Sequence, residues 1–392
     1  MTVGRSTPHR LLGVDAARAL ALFGMMAVHI TPSLTASGDV STAYELASGR
    51  ASALFAVLAG VGLALAGGGT EPPRGRVLGA AAAGTTARAL VLLLVGLVVG
   101  TFDSGVAVIL AYYALLFVVA APFLGLRSRI LIPLAVVWMI GTPFLSHALR
   151  LHVDRGPPNN PTIESLRDPG GLLLDLTLTG YYPVLQWTAY LLLGLGIGRL
   201  RLRESRVAWW LLAAGVTAAV VARVVSWYLL ERAGGMTALA QAGAGDHPIA
   251  SRQLETALET GFFGVTPTTS WWWLAVPAPH SGTTFDLAYT SGVAVAVLGA
   301  MLLIGRVLGR GLWPLAAVGS MTLTLYSLHV FLLATFVPRE TPDALLIHIL
   351  IAVAVAIPWR TFVGRGPLEH LAAGVSTLAR ESIIDRATPA NR

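Results

Sequence analysis

Arg18 and His29 share one apolar stretch, which runs from Val14-Asp15-Ala16-Ala17-Arg18 through Val28-His29. Eleven helical steps of about 100° return to the same face, and at 1.5 Å rise the two side chains stand ~16 Å apart along the axis. A neutral imidazole, whose ordinary pKa is near 6.5, can take a proton from an attacking hydroxyl or amine, or carry an acyl group itself. A guanidinium stays charged and offers a fork of donors that fits phosphate. The separation is comparable to the reach of an extended pantetheine arm. The pair therefore suits acyl transfer, with Arg18, beside Asp15, placed to hold an anionic group of the donor and His29 at the reacting carbonyl. Plainer readings stand beside this one: Asp15, one turn before Arg18, can neutralise it locally, and His29 can be a satisfied structural histidine.

Seven further residues are candidates for holding an acceptor: Arg50, Tyr182, Gln186, His280, Ser281, Ser327 and His329. Each has a bland alternative. Arg50 can snorkel and Tyr182 can belong to an aromatic belt, while Pro279-His280-Ser281-Gly282 can be an ordinary polar loop. Ser327 and His329 can serve helix–helix hydrogen bonding in a polar streak with Thr322 and Thr324. Other chemistries lack their residues. The chain has no Cys, no His-x3-His or Glu-containing zinc motif and no Gly-x-Ser-x-Gly elbow, and Gly67-Gly68-Gly69 is not followed by a P-loop Lys. No bound metal is expected, and His147, His152 and His247 have no spacing that would fix one.

The elements that must position these residues are membrane helices. Of 392 residues, 55% are hydrophobic and 12% charged, with mean hydropathy +0.70; a water-soluble globular chain is excluded. A helix needs about 20 apolar residues to cross the hydrocarbon core. Ten segments qualify: 11–31, 51–67, 83–102, 106–124, 130–147, 183–198, 207–229, 286–305, 313–336 and 344–360. The reading is an all-α, polytopic integral membrane bundle forming a single transmembrane domain over residues 1–392. All 27 basic residues are Arg, and with the N-terminus placed inside, most fall in inner connections, among them Arg74, Arg76, Arg127, Arg129 and the run from Arg199 to Arg206. That bias predicts both termini in the cytoplasm, with Arg18 and Arg223 as the intramembrane cations. Trp227, Tyr228 and Trp271 to Trp273 are expected as outer interfacial anchors. Two long outer loops, 148–182 and 230–285, face the other side, the second with a short helical stretch near 250–262. A cleaved signal peptide is the competing reading of residues 1–37. The basic charge lacks the clustered, aromatic-interleaved surface that nucleic acid would need.

Arg-x10-His in the first span resembles the signature of the acyltransferase-3 membrane family. Gly13-Val14-Asp15-Ala16-Ala17-Arg18-Ala19-Leu20-Ala21 is similar to the opening of the heparan-alpha-glucosaminide N-acetyltransferase-like family and of YeiB-type bacterial membrane proteins. Arg50 through Gly60 looks like their second span, and Gly180-Tyr181-Tyr182-Pro183 running to Gly196-Ile197-Gly198-Arg199 like their middle span. Gly319 to Tyr326 and Arg365-Gly366-Pro367-Leu368-Glu369 resemble the YeiB-type C-terminal region. The resemblance implies a multi-pass transferase of the plasma (inner) membrane, with acyl-CoA, in particular acetyl-CoA, as co-substrate and no tightly bound cofactor. The acceptor it implies is an extracytoplasmic glycan, lipid-linked sugar or small polar molecule, and under the acyltransferase-3 pattern His29 is catalytic. Heparan-type enzymes carry their catalytic histidine in the loop after the first span, whereas residues 32–50 here contain no His, and the Arg-x-x-Arg of acyltransferase-3 proteins is missing. Membrane lipid is a partner in any case, and a homodimer is compatible. The alternative is a transporter or exporter without covalent chemistry, since intramembrane arginines and Gly/Pro-interrupted spans also suit alternating access.

Overall fold

Ala, Leu and Met dominate the first apolar segment, and with no water in hydrocarbon to satisfy the backbone such a segment closes on itself as a helix. It does so as α1 (Leu12–Ile30) in the computed structural model, which describes residues 11–153, 156, 158–243 and 251–385. Fifteen helices follow among the described residues. They are α2 (Thr42–Ala47), α3 (Arg50–Ala66), α4 (Gly75–Val99), α5 (Leu110–Ala120), α6 (Ser128–Arg150), α7 (Pro169–Leu174), α8 (Val184–Gly198), α9 (Ser205–Trp227), α10 (Gly235–Ala242), α11 (Ser251–Thr260), α12 (Thr284–Leu308), α13 (Trp313–Gly319), α14 (Thr322–Thr335), α15 (Ala344–Phe362) and α16 (Pro367–Asp385). The described chain is helical, apart from an isolated bridge between Leu34 and Val40. Seven helical stretches are long and apolar enough to cross a membrane, and Leu110–Phe123, Val184–Gly198 and Thr322–Thr335 are shorter apolar helices. This is a helical membrane protein.

α1 runs through the centre, with Ala16, Ala17, Ala19, Ala21 and Leu22 wholly buried. Small residues let its neighbours approach to backbone distance. A Cβ on Gly319 of α13 would collide with the Asp15 carbonyl, and one on Gly13 with the Met301 carbonyl of α12. α3 and α8 are locked the same way, Gly60 against Leu191 and Gly194 against Val57. At the C-terminal end of α3, Arg199 donates to the carbonyls of Ala64, Gly67 and Gly69 at 3.1, 3.0 and 2.8 Å and to Leu124 at 2.6 Å. Its charge thereby satisfies a helix C-terminus.

Four features differ from these expectations or add to them. The segment read as one span over 313–336 is two helices, broken at Ser320 and Met321. The second starts without a cap of its own: Glu369 of α16 accepts from the Leu323 and Thr324 amides at 2.7 and 3.1 Å and from the Thr324 hydroxyl at 2.6 Å. A carboxylate from another helix thus neutralises the exposed N–H groups. Secondly, α16 itself, too polar to read as a span, packs along α4. Thirdly, Arg88 is a further arginine within an apolar helix, mid-way along α4. Finally, Trp273 is no interfacial anchor. It is 1% exposed and forms a small core with Leu230, Leu239, Leu254 and Val276, so part of the second outer loop is a folded cap rather than an open connection. Trp271 and Trp227 do remain exposed.

Candidate functional site

The C-terminal end of α1 places His29 against α14 and α15. Its Nδ1 lies 3.1 Å from Nε2 of His329, whose Nδ1 lies 3.0 Å from Nδ1 of His348, whose Nε2 lies 2.9 Å from the Val337 carbonyl. His329 and His348 are 1% and 2% exposed. The carbonyl can only accept, so it fixes every tautomer in the neutral chain. His348 carries its proton on Nε2 and accepts at Nδ1. His329 must then donate from Nδ1 and accept at Nε2, and His29 must donate from Nδ1. The lone pair of His29 is left on Nε2, which makes no hydrogen bond to the described residues.

That ring borders a small cavity of about 20 Å³, room for roughly one water or a carbonyl group. Tyr182, His280 and Tyr326 line it from three other segments. The two phenols differ in what they can give. Tyr182 donates its proton to the Ala107 carbonyl at 3.0 Å, whereas the Tyr326 oxygen accepts from the Ile109 amide at 3.4 Å, which leaves the Tyr326 proton free to donate. The Tyr326 ring stands edge-on to His29, centroids 6.3 Å apart. His280 takes a left-handed conformation, φ 54°, in the cap loop, where its carbonyl accepts from Gly264 at 2.9 Å and its ring stacks on Trp187 at 6.4 Å. A non-glycine residue at such a φ carries strain that the surroundings must hold. One of the holds is Asp286, which accepts from the Gly282 amide at 3.0 Å. Burial pushes the His280 imidazole down to about 4. The Arg339 guanidinium, tied to the Ser104 carbonyl at 2.9 Å, directs its charge at His29 and Tyr44.

Of the sequence candidates, His29, Tyr182, His280 and His329 meet here. Ser281 and Gln186 lie behind the wall: Ser281 is 3.3 Å from the Thr283 hydroxyl, and Gln186 is buried with Oε1 unpartnered. Ser327 turns back onto the Leu323 carbonyl of its own helix at 2.9 Å. Arg50 faces a separate outer cleft. Asp15 and Arg18 sit at the other end of α1, paired at 2.7 Å, with Arg18 also 3.5 Å from the Leu58 carbonyl. Arg88 lies within electrostatic reach of Arg18, Arg380 and Glu369, and the Nε atoms of Arg88 and Arg380 are buried without a partner. His147 is covered by the Trp271 ring at 4.2 Å, and His247 lies outside the described residues. Among the described residues no group of three His, Asp or Glu side chains could hold a metal ion.

The sequence reading missed His348, Tyr326, Arg339 and Asp286 as site residues. His348 had a signal: an ionisable residue inside an apolar span is a functional candidate by default. Arg339, in a short connection, had none.

The family model of the heparan-alpha-glucosaminide N-acetyltransferase catalytic domain matches residues 10–230, more than half of the chain and all of α1 to α9. No curated protein matches it significantly.

Proposed function

We propose, for a chain that belongs to the heparan-alpha-glucosaminide N-acetyltransferase catalytic family, that it is a membrane acyltransferase moving an acetyl group from cytoplasmic acetyl-CoA to a hydroxyl or amine outside. The observation that carries this reading is the one ring nitrogen of His29 that has no partner among the described residues, on a ring that lines a cavity beside the free phenol proton of Tyr326. In this reading ten apolar helices cross the plasma membrane with both termini in the cytoplasm. The Arg18, Arg88 and Arg380 guanidiniums on the inner side hold the anionic part of the donor.

At the cavity, His29 Nε2 takes the proton of the acceptor as its oxygen or nitrogen bonds to the thioester carbonyl carbon. The Tyr326 hydroxyl donates to the oxygen on which negative charge gathers. The C–S bond then breaks and coenzyme A leaves as thiolate, which the His29 proton neutralises. While His29 holds that proton, its Nδ1–H can move to His329 and the His329 proton on to His348, spreading the charge along the chain. The base is therefore held in one tautomer and relieved of a localised charge. Tyr182 and His280 shape the wall.

The test is acetyl transfer by the full chain in nanodiscs, read as release of free thiol from acetyl-CoA with glucosamine as the first acceptor tried. His29→Ala should lower the rate by roughly 10²–10⁴-fold while acetyl-CoA still binds. A folded wild type that binds no CoA ester, or a His29→Ala variant of unchanged rate, refutes the reading.

A further inference from the structure

Between α9 and the outer cap lies a cleft of about 690 Å³, divided from the His29 cavity by a thin wall: Arg50 and Pro279 face the cleft, while their neighbours Gly49, Ala51 and His280 line the cavity. Two guanidiniums stand in the cleft over one ring. Arg50 of α3 lies 5.1 Å and Arg223 of α9 lies 5.4 Å from the centroid of Tyr289. Arg50 spends Nε on the Tyr289 hydroxyl at 3.2 Å and Nη1 on the Ser48 and Tyr44 carbonyls at 3.1 and 3.4 Å, and keeps Nη2. Arg223 makes no hydrogen bond or ion pair to any described residue.

Arg223 lies one turn, about 6 Å, before the exposed Trp227 that ends α9. Two cations drawn to one ring repel each other, and most strongly where water is scarce. An anion between them removes that penalty and uses the donors left over. The acidic residues of the cleft do not fill this role, because neither arginine has a carboxylate within ion-pair distance among the described residues. Glu231, Glu255 and Glu259 from the cap and Glu45 of α2 also line the cleft, where they can accept from hydroxyl or ammonium groups. On the lipid side, Val220, Val221 and Val224 of α9 are exposed, an apolar track that begins at the cleft.

We infer that the cleft binds a phosphate-bearing amphiphile: phosphate between Arg50 and Arg223, tail along the valine face of α9, and further polar groups under the cap carboxylates. Resting on the acyl-transfer reading, this makes the acceptor lipid-borne, delivered laterally from the outer leaflet to the wall beside His29. The shared chemistry, a phosphate, could also come from solution, and the tail separates the two sources.

The experiment titrates farnesyl phosphate, farnesol and inorganic phosphate into the full chain in uncharged detergent by calorimetry, with no acyl-CoA present. Farnesyl phosphate should bind at least about tenfold more tightly than either of the others. Arg223→Gln should weaken it about tenfold, Arg223→Lys less, and His29→Ala not at all. Arg223 is exposed and makes no hydrogen bond or ion pair to any described residue, so the variant should fold, and an unchanged melting temperature checks this. Equal binding of phosphate or of farnesol, or an affinity indifferent to Arg223→Gln, overturns the inference. Since no donor is present, a protein that binds farnesyl phosphate but transfers no acetyl group refutes the acyl-transfer reading alone.

Discussion

The two ends of α1 carry the two residues that spacing singled out, and their surroundings are opposite. At the outer end every ring nitrogen of His29, His329 and His348 has a partner except one, and a backbone carbonyl decides which. At the inner end the donors outnumber the acceptors. Arg18 has Asp15 and a long bond to Leu58, while Arg88 and Arg380 bury Nε atoms with no partner. A fully assigned network holds a base in one protonation state before substrate arrives. An under-satisfied cationic cluster in low dielectric gains most from an incoming anion. In the proposed reading one end serves chemistry and the other binding, ~16 Å apart along one helix.

The comparison breaks first if the relay does nothing. His348→Phe fills the space but leaves the His329 Nδ1–H without its acceptor, so the tautomer of His29 is no longer imposed. The turnover rate should fall by roughly 10–100-fold with donor affinity unchanged, and the pH–rate profile should shift. An unaltered profile would reduce His329 and His348 to packing.

At the inner end the expected effect is on binding. Arg18→Ala should weaken acetyl-CoA by about tenfold with little change in turnover by saturated enzyme. Loss of turnover at unchanged affinity would invert the division of labour between the two ends.

The smallest effect concerns the wall. His280 is held near 4 by burial, below its unfolded value of 6.5, so folding favours its neutral form. Its contribution to stability is complete above pH 6.5 and is lost as pH falls toward 4. Because the ring is partly exposed, the loss should be about 1 kcal/mol rather than that of the full shift. His280→Asn should flatten the acid side of the melting-temperature curve, and a curve of unchanged slope would contradict this.

Much of the frame was legible because it is local. Apolar runs of helical length give spans, and eleven steps along one helix bring Arg18 and His29 to one face whatever surrounds them. What escaped were features that one segment cannot show. The helix start after the break is capped at Leu323 by a carboxylate 46 positions away. α16 is too polar to register as a span, yet it delivers both Glu369 and Arg380. Trp273 reads as an anchor in a loop and is core only because that loop folds over it.

Sequence by itself determined a helical membrane protein, the shared face of Arg18 and His29, and a family expectation of acyl transfer, since composition, helical period and motif all reside in contiguous residues. Only the tertiary structure decided that His29 touches His329, that His348 and the Val337 carbonyl fix its tautomer, and that Arg50 and Arg223 meet over Tyr289. Those facts depend on which helices become neighbours. An apolar helix packed through small residues carries almost no sequence record of its partner, because many partners would bury it equally well.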